Sequence, residues 1–282
     1  MSNVSSILVA GATGAVGSRV AAWVSGRSLR TLSRYVRQGD HVVADATDPR
    51  ACVGVCDGID TVFSALGASV GLNSSESRSY HAVDTAANRN LIAEARRAGV
   101  RRFVYVSLHV SDGYAHTRYA LAHEEVVATL RESGLSYTVI RPTGIFTALD
   151  DLVEMARRGM GVVIGSGAAR ANPVHPDDVA RVCIENLVAG PSGVSVGGPE
   201  ILTRRQIVET AFEALGRDPR IIRVPAVVLR FAGRALGFTN PRKSELLEFA
   251  AAVSSVDSIA PLVGRGRLVD YFRELSTPAT VA

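Results

Sequence analysis

Apolar runs and helix-spaced apolar positions alternate along the first half of this chain. The run Ile7-Leu8-Val9-Ala10 predicts a buried strand, and helical spacing follows over 16–24. Strands are predicted over 29–33 and 41–45, then a helix over 49–55 with Asp48 as its N-cap and Pro49 in its first position. The pattern continues with a strand over 61–65, a helix over 84–98 closed by Gly99, and a strand over 102–107. A helix over 119–133, stopped by Gly134, and a strand over 137–141 complete it. Strands separated by helices pair in parallel, with the helices covering the sheet. The fold class is therefore α/β with a doubly wound parallel sheet.

Beyond Pro142 the alternation loosens. Helices are predicted over 150–158, 176–187, 226–236 and 243–253, with Asp177 or Asp178 capping the second of them. Thr203-Arg204-Arg205-Gln206 is a capping box that opens a further helix through Leu215. Gly159, Gly161, Gly165 and Gly167 punctuate a short strand region. The division that follows is a nucleotide domain over 1–145, with a return segment near 172–198, and a smaller, mostly helical C-terminal substrate lobe over 146–282. The polar segment 69–79 reads as a surface loop over the site, and the tail 276–282 as frayed.

The first strand-to-helix corner carries the chemistry. It reads Gly11-Ala12-Thr13-Gly14-Ala15-Val16-Gly17. Gly11 permits the tight turn, Gly14 lets the backbone approach a diphosphate, and Gly17 lets the helix pack against the strand. The amides and positive dipole end of that helix would face phosphates. With a strand before it and a helix after it, the triplet predicts a dinucleotide site.

Composition adds limits. Apolar residues make up 47% of the 282, enough for a large core, and no apolar run is long enough to span a membrane. The first six residues leave no room for a signal peptide, so the expected compartment is the cytoplasm. Three cysteines suggest buried thiols, and no metal site is expected. The net charge of +4 is spread along the chain and aromatics are sparse, which argues against nucleic acid. The expected partner is a small-molecule substrate; a homodimer is left open.

Strand two ends Leu32-Ser33-Arg34, with Arg37 nearby and no carboxylate at the place that normally reads the ribose hydroxyls of NAD. A guanidinium there would hold a 2′-phosphate, so NADP (as NADPH) is preferred over NAD. Asp45 and Ala46 would sit at the adenine edge, and Ala65, Leu66 and Gly67 follow strand four at the carboxyl edge where ligands collect.

Together these residues resemble the short-chain dehydrogenase/reductase superfamily, in its atypical, NmrA-like NAD(P)H-binding branch. The GxxGxxG pattern at 11–17 is joined by Val104-Tyr105-Val106-Ser107, by the run 133–142 ending Arg141-Pro142, by Asn172-Pro173-Val174-His175-Pro176, and by Gly197-Gly198-Pro199. The resemblance extends to about residue 215 and implies a Rossmann-type fold. It implies that Ser107 bonds a substrate carbonyl, that Tyr119 donates a proton, and that Pro142 and Thr143 contact the cofactor.

In the superfamily a lysine four residues after the tyrosine stabilises the phenolate; here that position is His123. Both side chains still share one helix face, but an imidazole with a pKa near 6.5 is mostly neutral at pH 7. Tyr114, Tyr105, His109 and His116 are substitutes as proton donors. Phe146, Leu149, Met155 and Met160 either line an apolar pocket or build the second core. The reading is an NADP(H)-dependent oxidoreductase acting on a small carbonyl or enone. Its rivals are a silent NAD(P)-binding redox sensor or assembly subunit, and a non-redox epimerase or dehydratase.

Overall fold

The computed structural model describes residues 6–24, 28–34, 40–67 and 76–277. Arg37, most of the polar segment 69–79 and the end of the tail lie outside them. The first half runs β1 (Ser6–Ala10), α1 (Ala15–Val24), β2 (Ser28–Ser33), β3 (His41–Val43), β4 (Thr61–Ser64), a π-turn over His81–Thr85, α2 (Ala86–Arg97), β5 (Arg102–Val106), α3 (Arg118–Glu132) and β6 (Ser136–Pro142). The second half runs α4 (Asp150–Arg157), β7 (Gly161–Ile164), β8 (Arg170–Ala171), α5 (Pro176–Glu185), β9 (Gly193–Val196), β10 (Leu202–Thr203), α6 (Arg204–Ala214), β11 (Ile221–Val224), α7 (Ala226–Leu236), α8 (Pro241–Val253) and α9 (Leu268–Ser276).

Seven strands form one parallel sheet in the order β3-β2-β1-β4-β5-β6-β9. The chain winds outward from β1 in both directions, so β1 and β4 flank the switch point, where a crevice opens at the carboxyl edge. Every residue of β1, β4 and β5 is buried, which is why residues 7–10, 62–63 and 103–106 read as apolar runs beside polar strand ends. Leu8, Phe103 and Tyr105 pack on one face with Leu91 and Leu130; Ile7, Val9 and Val104 pack on the other with Val20 and Val179. A third cluster, around Phe146, Phe212 and Phe272, belongs to the second half.

Two expectations need correction. Residues 49–55 form successive turns rather than a helix: Val53 N–H reaches Arg50 O (3.3 Å) and Val55 N–H reaches Cys52 O (3.2 Å). Gly54, at φ +87°, stops the helical path there, and Asp48 accepts from the Arg50 N–H at 2.9 Å within a turn. The cap of α5 is His175, whose Nδ1 accepts the Asp177 N–H at 3.2 Å. Asp177 pairs with Arg19, and Asp178 accepts from Arg265 and Gly266. Helix α9 escaped the sequence reading. The helices expected over 226–236 and 243–253 are present, the second starting two residues earlier behind the Asn240 cap.

Candidate functional site

The glycine corner separates what the chain itself requires from what it leaves free. Gly11 has φ +85°, and a Cβ on it would lie 2.6 Å from Ala65 O across the switch point. A Cβ on Gly17 would lie 2.1 Å from Gly11 O. Neither can be replaced without moving backbone. At Gly14 the nearest chain atom to a Cβ is Gly11 O at 3.4 Å, an ordinary contact. Thr13 and Gly14 are exposed, and α1 has no acidic side chain in its first turn to answer its dipole. The chain's own packing therefore does not demand a glycine at 14, whose N–H donates to Gly11 O at 3.0 Å.

Beside this corner, at the ends of β2, β3 and β4, lies a cavity of about 290 Å³. Its lining brings together Ser33, Arg34, Asp45, Ala46, Leu66 and Gly67, all predicted from the sequence, and adds Arg78, Glu76 and Asp84, which were not. Arg34 is exposed. The Asp45 carboxyl is held below its ordinary range, first by the Thr47 N–H it accepts at 3.0 Å and further by Arg78 and Arg34. Arg78 pairs with Glu76 through two nitrogens at 3.0 and 3.1 Å, which lowers Glu76 to about 2. Beneath the cavity floor, buried Asn88 accepts from the Ser64 hydroxyl (2.6 Å) and donates to Leu66 O (3.1 Å) and Asp84 O (2.8 Å). That clamp fixes the path of Ala65, Leu66 and Gly67.

Ser107 lies at the carboxyl end of β5 and Thr143 at that of β6. The Ser107 N–H donates to Ile140 O at 2.8 Å, but its buried hydroxyl has no partner among the described residues. Buried Pro142 accepts the His109 N–H at 2.7 Å. Thr143 is committed to the chain: its N–H donates to Val196 O (3.1 Å) and its hydroxyl to Asn172 O (2.5 Å). Asn172 in turn ties this loop to Gly198 and Ala260. Arg141 forks onto Glu124 and also reaches Leu108 O, pinning α3 to the loop after β5.

Tyr119 and His123 are brought together, with ring centroids 4.9 Å apart, edge to face. Tyr119 is half-buried and also touches Tyr80 and Phe249. Burial drives its phenol well above the ordinary range. His123 is buried; its Nδ1 meets the Tyr105 hydroxyl at 2.7 Å and its Nε2 has no partner among the described residues. Burial, then Arg141, pulls the imidazole down to about 4, so it is neutral at pH 7. The cation that the superfamily places here is therefore missing electrostatically as well as by residue type.

The substitutes fare differently. Tyr105 and Tyr114 are buried with their hydroxyls occupied, the latter by His109 O and Ser258. His109 is half-buried with its pKa lowered by burial, and His116 is exposed. Phe146 is buried in the third cluster, with Leu149 against it, and Met160 is exposed. Among the described residues no group of three or more His, Cys, Asp or Glu side chains could hold a metal ion. Cys52, Cys56 and Cys183 are free and buried.

A family profile described as NAD(P)H-binding matches residues 11–189. The chain is 28% identical over 251 residues to divinyl chlorophyllide a 8-vinyl-reductase of Zea mays, covering 79% of itself and 62% of that protein, so it spans about three-fifths of this relative's length. It is 30% identical over 280 residues to (4-alkanoyl-5-oxo-2,5-dihydrofuran-3-yl)methyl phosphate reductase of Streptomyces griseus, covering 92% and 93% of the two chains. Among solved structures, an NADPH-dependent quinone oxidoreductase of Escherichia coli complexed with NADPH superposes with TM-score 0.73 at 18% identity, over 96% of this chain and 100% of that one. A nucleoside-diphosphate-sugar epimerase of Staphylococcus aureus gives 0.75 at 16%, over 95% and 99%. At those identities the likeness is one of fold.

Proposed function

The chain belongs to the NAD(P)H-binding family, in its reductase-like, atypical short-chain dehydrogenase/reductase branch, and from that premise we propose that it is an NADPH-dependent reductase of a small conjugated acceptor, an enone or quinone. The observation that carries the reading is Gly14, a glycine that the chain's own packing does not demand, exposed with Thr13 at the first strand-to-helix corner.

In this reading the backbone of Gly11, Ala12, Thr13, Gly14, Ala15, Val16 and Gly17 holds the diphosphate. Ser33 and Arg34, with Arg78 opposite, hold a 2′-phosphate. Asp45 and Ala46 border the adenine, Ala65 to Gly67 support the ribose side, and Pro142 and Thr143 border the nicotinamide end. Bound NADPH supplies a hydride. Ser107 supplies a hydrogen bond to the acceptor oxygen where negative charge grows, from a hydroxyl that has no partner among the described residues.

Conjugation follows from what the site lacks. Reducing an isolated ketone needs a strong proton donor, and at Tyr119 the lowering pull of Arg242 is outweighed by burial, with His123 neutral one turn away. A conjugated acceptor delocalises its charge onto the carbonyl oxygen, where the Ser107 bond suffices and solvent delivers the proton. One relative is named for such a group, an alkanoyl-oxo-dihydrofuran, and another for reduction of a vinyl substituent, which is a carbon–carbon double bond without a carbonyl of its own. The neutral His123 also favours a second reading, a cofactor-bound redox sensor or assembly subunit without turnover.

Titration calorimetry with NADPH, NADP, NADH and NAD, followed by NADPH oxidation with a panel of enones, quinones and ketones, separates the two. Turnover on conjugated acceptors but not simple ketones supports the reductase. Tight binding without turnover across the panel supports the sensor. No heat with any of the four dinucleotides ends both.

A further inference from the structure

Between Asp218 and Glu245 the chain holds six cations and no Asp or Glu. Arg242 is buried, but Arg220, Arg223, Arg230, Arg234 and Lys243 are exposed. Arginines elsewhere mostly face carboxylates: Arg97 meets Glu94 and Asp57, Arg118 meets Glu248, and Arg170 meets Asp257. Among the described residues no ion pair involves any of these five.

The same segment exposes apolar bulk. Helix α7 packs on α8 through Gly233, with Leu229 and Leu236 on the same side at helical spacing. The opposite side carries Val227 and Phe231, one turn apart and 51% and 64% exposed. Phe238, at the turn into α8, is 98% exposed, and Ile222 just before α7 is 51% exposed. Arg230 and Arg234 border that apolar strip along one edge, also one turn apart.

We propose that the α7 face is a docking surface for an anionic lipid bilayer, with α7 lying in the interface, Phe231 and Phe238 inserted, and Arg230, Arg234, Arg220 and Arg223 on headgroup phosphates. Apolar side chains flanked by unpaired cations on one helix face fit this partner. A second copy of the chain fits poorly, because a two-fold contact through α7 would set Arg230 and Arg234 against themselves with no carboxylate between. Lack of an apolar span led the sequence reading to expect no membrane, and among the described residues no helix is long and apolar enough to cross one. An interfacial helix needs no such span.

The test is sedimentation of the full chain with phosphatidylcholine vesicles and with vesicles of phosphatidylcholine and phosphatidylglycerol. The expected result is capture by the mixed vesicles only, released by raised salt. R230Q and R234Q each weaken it about fivefold, and the F231S/F238S double variant abolishes it at an unchanged melting temperature. Absence of capture by the mixed vesicles overturns the proposal, as does equal capture by phosphatidylcholine alone. A stable dimer in light scattering that F231S/F238S dissociates also overturns it, because the face then belongs to a second copy.

Discussion

The Tyr105 hydroxyl lies 2.7 Å from Nδ1 of His123, and both side chains are buried. The bond joins β5 to α3 at the position where the superfamily keeps a lysine. It fixes the imidazole ring against the strand rather than presenting a charge to Tyr119. Replacing Tyr105 by Phe leaves a buried ring nitrogen with no partner on either side. Chemical denaturation should show a loss of about 1–3 kcal/mol, with NADPH affinity within a factor of two or so of wild type. A stability unchanged from wild type would mean that the bond contributes nothing.

The same histidine sets a pH dependence. Its pKa is about 4 in the folded protein, chiefly through burial, and near 6.5 when unfolded. Above the unfolded value both states are neutral, and its contribution to stability is fully present. Between about 6.5 and 4 the unfolded chain binds a proton that the folded chain refuses, so stability falls as pH falls. The loss is complete below the folded pKa and amounts to about 3 kcal/mol. His109, also lowered by burial, acts in the same direction. Melting curves from pH 7 to pH 4 should therefore fall more steeply for wild type than for His123→Gln; parallel curves would refute the assignment.

Local signals carried most of the fold. The runs at Ile7–Ala10 and Phe103–Val106 read as buried strands because a central parallel strand needs apolar side chains on both faces. The box Thr203/Gln206 and glycines 99 and 134 marked helix ends because capping is chemistry among adjacent residues. The helix expected after Pro49 failed because Gly54 outweighed the start signal. Site residues supplied from a distance left no local trace. Arg78 reaches the cavity from the end of the 69–79 segment, Asn88 grips β4 from α2, and Tyr80 and Phe249 close on Tyr119 from separate parts of the chain. Nor could spacing reveal that His123 would turn to Tyr105.

The glycine corner yields a paired prediction. Gly14→Ala should melt like wild type, since its Cβ meets nothing closer than 3.4 Å, yet bind NADPH at least about tenfold more weakly, because the methyl stands where the phosphate approaches. Gly17→Ala should destabilise the protein by about 1–3 kcal/mol or more, since its Cβ would meet Gly11 O at 2.1 Å. Calorimetry and melting on both variants check this. An unaltered affinity in Gly14→Ala would remove the main support for the diphosphate site.

Two arginines border the cavity, but they are not equivalent. Arg34 is exposed and faces Asp45 across it, whereas Arg78 already forks onto Glu76. A charge-assisted bond to a 2′-phosphate contributes roughly 1.5–3 kcal/mol. Arg34→Gln should thus weaken NADPH at least about tenfold and leave NADH within twofold or so. Arg78→Gln should have the smaller effect, because that guanidinium is already engaged by the Glu76 carboxylate. Equal losses for NADPH and NADH in Arg34→Gln would place that side chain outside the phosphate contact.

Ser107 and Tyr119 should separate in kinetics. A positioned general acid typically contributes 10²–10⁴-fold, but only if its pKa lies within reach of the working pH. Burial holds the Tyr119 phenol far above that range, and its ring packs against Tyr80, His123 and Phe249. Tyr119→Phe keeps those packing contacts, so kcat on an enone or quinone should fall less than about tenfold. Ser107→Ala removes a hydroxyl with no partner among the described residues. Loss of one such donor to a developing oxyanion costs about 10²–10³ in kcat elsewhere, and a drop of that order is expected with KM little changed. The order of the two effects is the decisive quantity. A hundredfold fall in Tyr119→Phe with a mild Ser107→Ala would return the proton to the phenol and restore the superfamily mechanism without its lysine.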